Sequence, residues 1–168
     1  MSDVYSLYVV RHAIAAERGP EYPNESKRPL TQRGTSRFRK VARGLMELDA
    51  DVSLILSSPL VRARQTADIL SQELRGHPPV VETTSLAPGA AYADLLRELG
   101  QHTRMTGIAM VGHEPEIGEI AARLVGAPGA FDFKKGGVCR IDIERLPPSG
   151  PGRLIWLAPP RMLARLGR

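Results

Sequence analysis

Cysteine is nearly absent from this chain, with Cys139 standing alone among 168 residues. A single cysteine excludes an internal disulfide framework and any multi-cysteine zinc site. Aromatic residues are scarce at 5%, too few for the stacking platforms of a single-strand nucleic-acid binder. No apolar run approaches the roughly 20 residues of a membrane-spanning helix. Met1-Ser2-Asp3 lacks the basic and apolar regions of a leader peptide. These absences together point to the cytoplasm.

The bulk composition is ordinary. Hydrophobic content of 42% and charged content of 24% suit a globular protein, and the length fits one domain over residues 1–168. The net charge of +5 is compatible with nucleic acid. However, the arginines are scattered rather than gathered into one tract, and an enzyme that binds phosphate groups shows the same bias.

The most informative stretch is Leu7 to Ala13. Leu7 to Val10 reads as a buried strand, and it ends abruptly in Arg11 and His12. In open α/β sheets, ligands sit beyond the carboxyl ends of the strands. A polar stretch follows from Glu17 to Pro29 and reads as a loop whose cations Arg18, Lys27 and Arg28 are solvated. Thr31 suits the N-cap of a helix that carries Phe38, Val41, Ala42, Leu45 and Leu48 on one face.

Val52 to Leu56 is a second strand. A helix from about Leu60 to Leu74 follows it, with Pro59 at its start and Arg62 and Arg64 in its first turn. Val80 to Glu82 is a short strand, and Asp94 to Leu99 a helix. Ile108 to Val111 is a further buried strand. It ends in Gly112-His113-Glu114-Pro115, before a helix to Val125. Phe131 to Lys135 and Val138 to Ile143 look like a hairpin around Gly136-Gly137. Arg153 to Leu157 is a last strand, and the tail is helical near Met162 to Leu166. Strands alternating with helices imply βαβ units, hence a mainly parallel sheet covered on both faces.

Arg11-His12, Arg62 and His113 thus stand at three separate strand ends. If those strands are neighbours, two guanidinium groups and two imidazoles surround one point. That is a pocket for a dianion, above all a phosphoryl group. A neutral His12 can attack phosphorus, and adjacent arginines oppose its protonation. Arg11 and Arg62 hold the phosphoryl oxygens as charge develops. His113, protonated once phosphate is bound, adds a further donor. No Asp, Glu or His cluster has metal-ligand spacing, so the expected cofactor set is empty.

These residues resemble the histidine phosphatase superfamily, whose fold is phosphoglycerate-mutase-like. The strand with Arg11-His12, the Pro29-Leu30-Thr31-Gln32-Arg33-Gly34 stretch, the segment Ser57 to Thr66 and Val111-Gly112-His113 are similar to its motifs in order. Ala13 stands where glycine is usual. The short length, Val111 to Pro115 and Lys135-Gly136-Gly137 most resemble the SixA-type phosphohistidine phosphatases. The resemblance implies a three-layer α/β/α domain in a minimal version without a large lid. It also implies a metal-independent phosphatase with His12 as nucleophile and Arg11, Arg62 and His113 binding phosphate. The implied partner is a phosphohistidine-bearing signalling protein, with neither nucleic acid nor membrane involved. A phosphatase of a small phosphorylated metabolite and a catalytically silent phosphate-binding module are the alternatives.

Several residues carry a plainer expectation. Arg64 reads as a solvated or ion-paired helix residue, and His77 and His102 as loop residues. Cys139 reads as core, and Lys134 and Lys135 as solvated. An acid that protonates the leaving group has no clear holder: Thr83, Thr84 and Ser85 occupy the expected place before Leu86, and Glu82 is the nearest carboxylate.

Overall fold

The computed structural model describes residues 4–168; Met1-Ser2-Asp3, read above for a leader, lie outside them. Alternation along the first strand, β1 (Tyr5–Arg11), sends Tyr8 and Val10 to one face and Leu7 and Val9 to the other. Both sets are buried, so helices must cover both faces of the sheet. On the first face lie α1 (Gln32–Glu47), α2 (Val61–Glu73) and α5 (Pro160–Leu166), contributing Phe38, Val41, Leu70 and Leu163. On the other lie α3 (Tyr92–Gly100) and α4 (Glu116–Leu124), contributing Leu95, Leu99, Ile117 and Leu124. This is the three-layer α/β/α architecture that the alternation predicts.

Among the described residues six strands form one sheet: β1, β2 (Leu54–Ser57), β3 (Val80–Glu82), β4 (Gly107–Gly112), β5 (Val138–Ile143) and β6 (Arg153–Ala158). Their order is β3-β2-β4-β1-β5-β6. The first four are parallel, and β5 runs antiparallel to both β1 and β6. The chain leaves β1 for β2 and returns in β4 between them. The carboxyl ends of β2, β4 and β1 therefore lie side by side where the strand order reverses, the usual place for a ligand crevice.

Two elements differ from the sequence reading. Phe131 to Lys135 is not a strand. Both edges of β5 are taken, by β1 and by β6, so no ladder remains for it. Instead Phe131 donates its N–H to Gly118 of α4, and Phe133 is buried in the core. The hairpin is β5–β6, closed by the Pro/Gly-rich loop 144–152. Pro59 precedes the N-cap Leu60 rather than opening α2.

No helix among the described residues is long and apolar enough to cross a membrane.

Candidate active site

Strand register brings the motif residues together. Arg11 pairs with Gly112 across β1 and β4, and the N–H of His12 donates to the Gly112 carbonyl at 3.0 Å. On the other side of β4, the Ser58 N–H donates to the Val111 carbonyl at 3.0 Å. His12 and His113 thereby become neighbours, their ring centroids 5.1 Å apart. Arg62, one residue inside α2, reaches across so that its Nε donates to His12 Nε2 at 3.3 Å. All three side chains are buried.

The tautomer of His12 follows from its contacts. Nδ1 lies 2.7 Å from the Ala13 carbonyl oxygen. A carbonyl only accepts, so Nδ1 carries the hydrogen and Nε2 keeps a lone pair. The pKa of His12 is pushed down to about 4, chiefly by burial, with the positive charges of Arg62, Arg11 and Arg28 adding to it. Burial thus outweighs the arginines that the sequence reading held responsible. His113 is pushed down to about 3 by burial, His12 and Arg62. Its Nε2 lies 2.8 Å from Ser58 Oγ, and its Nδ1 is buried without a partner.

Motif residues outside the pocket fix the loop after His12. Thr66 accepts the Ala13 N–H at 3.0 Å and donates to the Arg62 carbonyl at 2.7 Å, tying β1 to α2. Thr31 caps α1 by accepting from Gly34, and its own N–H donates to Ile14. A Cβ on Gly34 would fall 2.1 Å from the Ile14 oxygen, so only glycine allows α1 to approach so closely. Ala13 does not adopt a positive φ, so alanine fits where glycine is usual.

The loop between β1 and α1 holds what the sequence reading missed. Arg28 is buried rather than solvated, and its Nε donates to Glu25 Oε2 at 2.7 Å. Glu25 also meets Arg62 Nη2 at 2.9 Å and Arg18 Nη2 at 3.5 Å. The hydrogen bond from Arg28 and the charges of Arg62, Arg28 and Arg18 hold its pKa down at about 2. Glu25 is therefore the carboxylate that positions three arginines. An aperiodic loop gives no signal of this in sequence.

The cavity in front of His12 measures about 330 Å³ and is lined by Arg11, Arg18, Arg28, Arg62, His113 and Glu114, among others. Lys135 also lines it, whereas Lys134 faces Asp132 outside. Arg11 donates Nη1 to the Phe133 carbonyl at 2.6 Å, and its Nε is buried without a partner. No residue of 75–107 lines the cavity; its outer wall is the β1–α1 loop. Glu82 is not among the lining residues and instead pairs with Arg64 at 3.2 Å. Two carboxyl groups do line the cavity, Glu17 on the exposed loop and the half-buried Glu114 just past β4. Burial raises the pKa of Glu114, and its Oε1 is buried without a partner. Its position directly after His113 at a strand end was the available sequence signal. Beyond His113 a second cavity of about 390 Å³ is lined by Leu86, Tyr92, Ile117 and Ile120.

The remaining candidates lie elsewhere. His77 contacts Ser71, and His102 pairs with Glu98 at 3.0 Å. Cys139 is core, its thiol pushed up to about 12 by burial. Among the described residues no group of three or more His, Cys, Asp or Glu could hold a metal ion.

Burying two neutral imidazoles makes stability depend on pH. Between the ordinary histidine value of 6.5 and about 4, an unfolded chain binds protons that folded His12 and His113 refuse. Stability therefore rises with pH across that window and is lost as pH falls through it. Melting temperatures should fall between pH 6.5 and pH 4, and His113→Asn should flatten the fall. Equal slopes in the two proteins would contradict the burial argument.

The open α/β sheet thus gathers buried imidazoles and arginines at its switch point, an arrangement suited to a compact anion. The sequence model of the histidine phosphatase superfamily (branch 1) matches residues 7–87, a span that contains Arg11, His12 and Arg62. Over 164 residues the chain is 37% identical to an uncharacterized protein of Picosynechococcus sp., covering 94% of this chain and 98% of the relative. It is 24% identical to the phosphohistidine phosphatase SixA of Escherichia coli, covering 92% and 93%. The solved structure of the protein histidine phosphatase SixA complexed with tungstate superposes with a TM-score of 0.83 at 23% identity. It covers 94% of this chain and 99% of that one, and it has the same fold. The chain belongs to the histidine phosphatase superfamily, and that membership supports phosphatase activity.

Proposed function

We propose that the protein is a phosphatase that removes the phosphoryl group of a protein-borne phosphohistidine through a phospho-His12 intermediate. One observation carries the reading: His12 Nδ1–H is committed to the Ala13 carbonyl, which leaves the lone pair on Nε2, facing the Arg62 guanidinium in the pocket. In the first step Nε2 bonds to phosphorus as the bond from phosphorus to the substrate nitrogen breaks. In the second, water attacks phosphorus, the Nε2–P bond breaks, and inorganic phosphate leaves. Arg11, Arg62 and His113 hold the phosphoryl oxygens, where fixed donors in a dry site act most strongly. The dianion also favours the protonated form of His113, opposing the shift that burial imposes.

The substrate reading rests on the open cavity mouth and on the likeness to SixA. We read the chain as one domain, because both core clusters share one sheet. Side-chain cations supply the positive charge, so turnover should persist in EDTA; loss in EDTA with recovery on magnesium would contradict this.

Glu114 is the candidate acid. Phosphohistidine can leave as neutral imidazole, whereas an alkyl ester needs a positioned proton, a contribution of roughly 10²–10⁴-fold. Glu114→Gln should therefore spare phosphohistidine turnover, and it should make ester rates fall steeply as the leaving-group pKa rises. Equal losses on both substrates would make Glu114 structural. The cavity beyond His113, which joins an apolar wall of Leu86, Ile117 and Ile120 to the charged Glu116, Glu119 and Arg123, favours a second reading, a phosphorylated metabolite with a partly apolar leaving group. A kcat/KM for such esters above that for phosphohistidine protein would establish it.

A further inference from the structure

A groove between α1 and α5, about 420 Å³ in volume, carries Arg33, Arg37, Lys40, Arg161, Arg165 and Arg168 and, among the described residues, no acidic one. The first three stand at i, i+4 and i+7 of α1, and the last three repeat that spacing along α5 and just past it. Each row therefore lies on one helix face. Like charges at i, i+4 weaken both helices. Among the described residues none of the six forms an ion pair that would offset this. Elsewhere on α1 the fold does neutralise its cations: Arg39 and Arg43 both pair with Glu73. The rows are also held rigidly, because a Cβ on Gly44 would fall 2.0 Å from the Leu163 oxygen of α5.

The groove neighbours the phosphoryl pocket, with a small cleft of about 10 Å³ between them. Arg37 lines both the groove and this cleft, which lies beside Ala13, and Lys135 lines both the cleft and the cavity of His12. We infer that the groove docks an acidic segment of the phosphoprotein whose phosphohistidine occupies the pocket, an inference that rests on the proposed substrate. Charge complementarity selects the partner and speeds encounter. A single nucleic-acid strand fits less well, since no aromatic side chain lines the groove for base stacking.

The test uses two synthetic peptides, each phosphorylated on one histidine with phosphoramidate. One continues into a run of Asp and Glu, the other into neutral Ser and Gly. At low salt the wild type should turn over the acidic peptide with a kcat/KM about tenfold or more higher, as electrostatic steering allows. Added salt should erase the difference. The Lys40→Glu/Arg161→Glu variant alters two exposed side chains. It should lose the preference while keeping its rates on the neutral peptide and on an aryl phosphate. Equal rates on the two peptides in the wild type, or a preference that survives in the variant, would overturn the inference. Failure on both peptides with aryl phosphate turned over would instead sink the substrate reading. The groove is then judged by fluorescence anisotropy of a labelled, unphosphorylated acidic peptide. Binding lost in the variant would support it, and no binding would overturn it. Tighter binding of a single-stranded oligonucleotide or of phosphatidylglycerol vesicles, lost in the same variant, would assign the groove to another partner and overturn it as well.

Discussion

His12→Ala should lower kcat/KM by about 10⁴-fold or more, the scale on which loss of a covalent nucleophile is felt. The other imidazole of the pocket, His113, turns its Nε2 to Ser58 Oγ, and burial leaves Cys139 protonated. The fold should tolerate the change. The side chain of His12 bonds only to the Ala13 carbonyl and Arg62, and the Ala13 N–H keeps its bond to Thr66. Near-normal turnover by a folded His12→Ala protein would show that another group attacks phosphorus.

The second large effect separates two arginines on one helix. Arg62 is buried, and its nitrogens meet His12 Nε2, the Glu25 carbonyl and the Glu25 carboxylate. Arg62→Ala removes a preorganised donor from the pocket and also leaves Glu25 with one cation fewer. The expected loss is about 2–4 kcal/mol of transition-state stabilisation, typical for one fixed donor of this kind. Arg64 points away, to Asp68 at 2.9 Å and Glu82 at 3.2 Å. Such exposed pairs contribute roughly 0–1 kcal/mol to stability, and Arg64→Ala should change kcat/KM little. Steady-state kinetics on one aryl phosphate decides the matter. Equal losses at the two positions would mean that Arg62 acts only by holding α2 in place.

What sequence reveals here tracks periodicity and strand ends. The continuous apolar run Leu7 to Val10 and the 3.6-residue spacing of Phe38 to Leu45 specified β1 and α1, because a strand buried on both faces needs such a run and a helix buried on one face imposes that period. Arg62 could be told from Arg64 by its place in the segment Ser57 to Thr66. The false strand at Phe131 to Lys135 has aromatic residues and a glycine turn, the local marks of a hairpin. Competition for the edges of β5 decided otherwise, and no local window contains that competition. Arg28 and Glu25 were hidden for a different reason. Their loop has no period, so burial there depends on Arg62 arriving from a distant element. Glu114 was overlooked because the acid was sought before Leu86, although its neighbour His113 already marked a strand end at the site.

The covalent intermediate is most directly tested by trapping it. Enzyme mixed with labelled substrate, quenched rapidly in alkali to preserve the acid-labile phosphoramidate, and mapped by mass spectrometry should carry phosphate on the peptide containing His12. Label on any other residue, or burst kinetics with no label at all, would contradict the account.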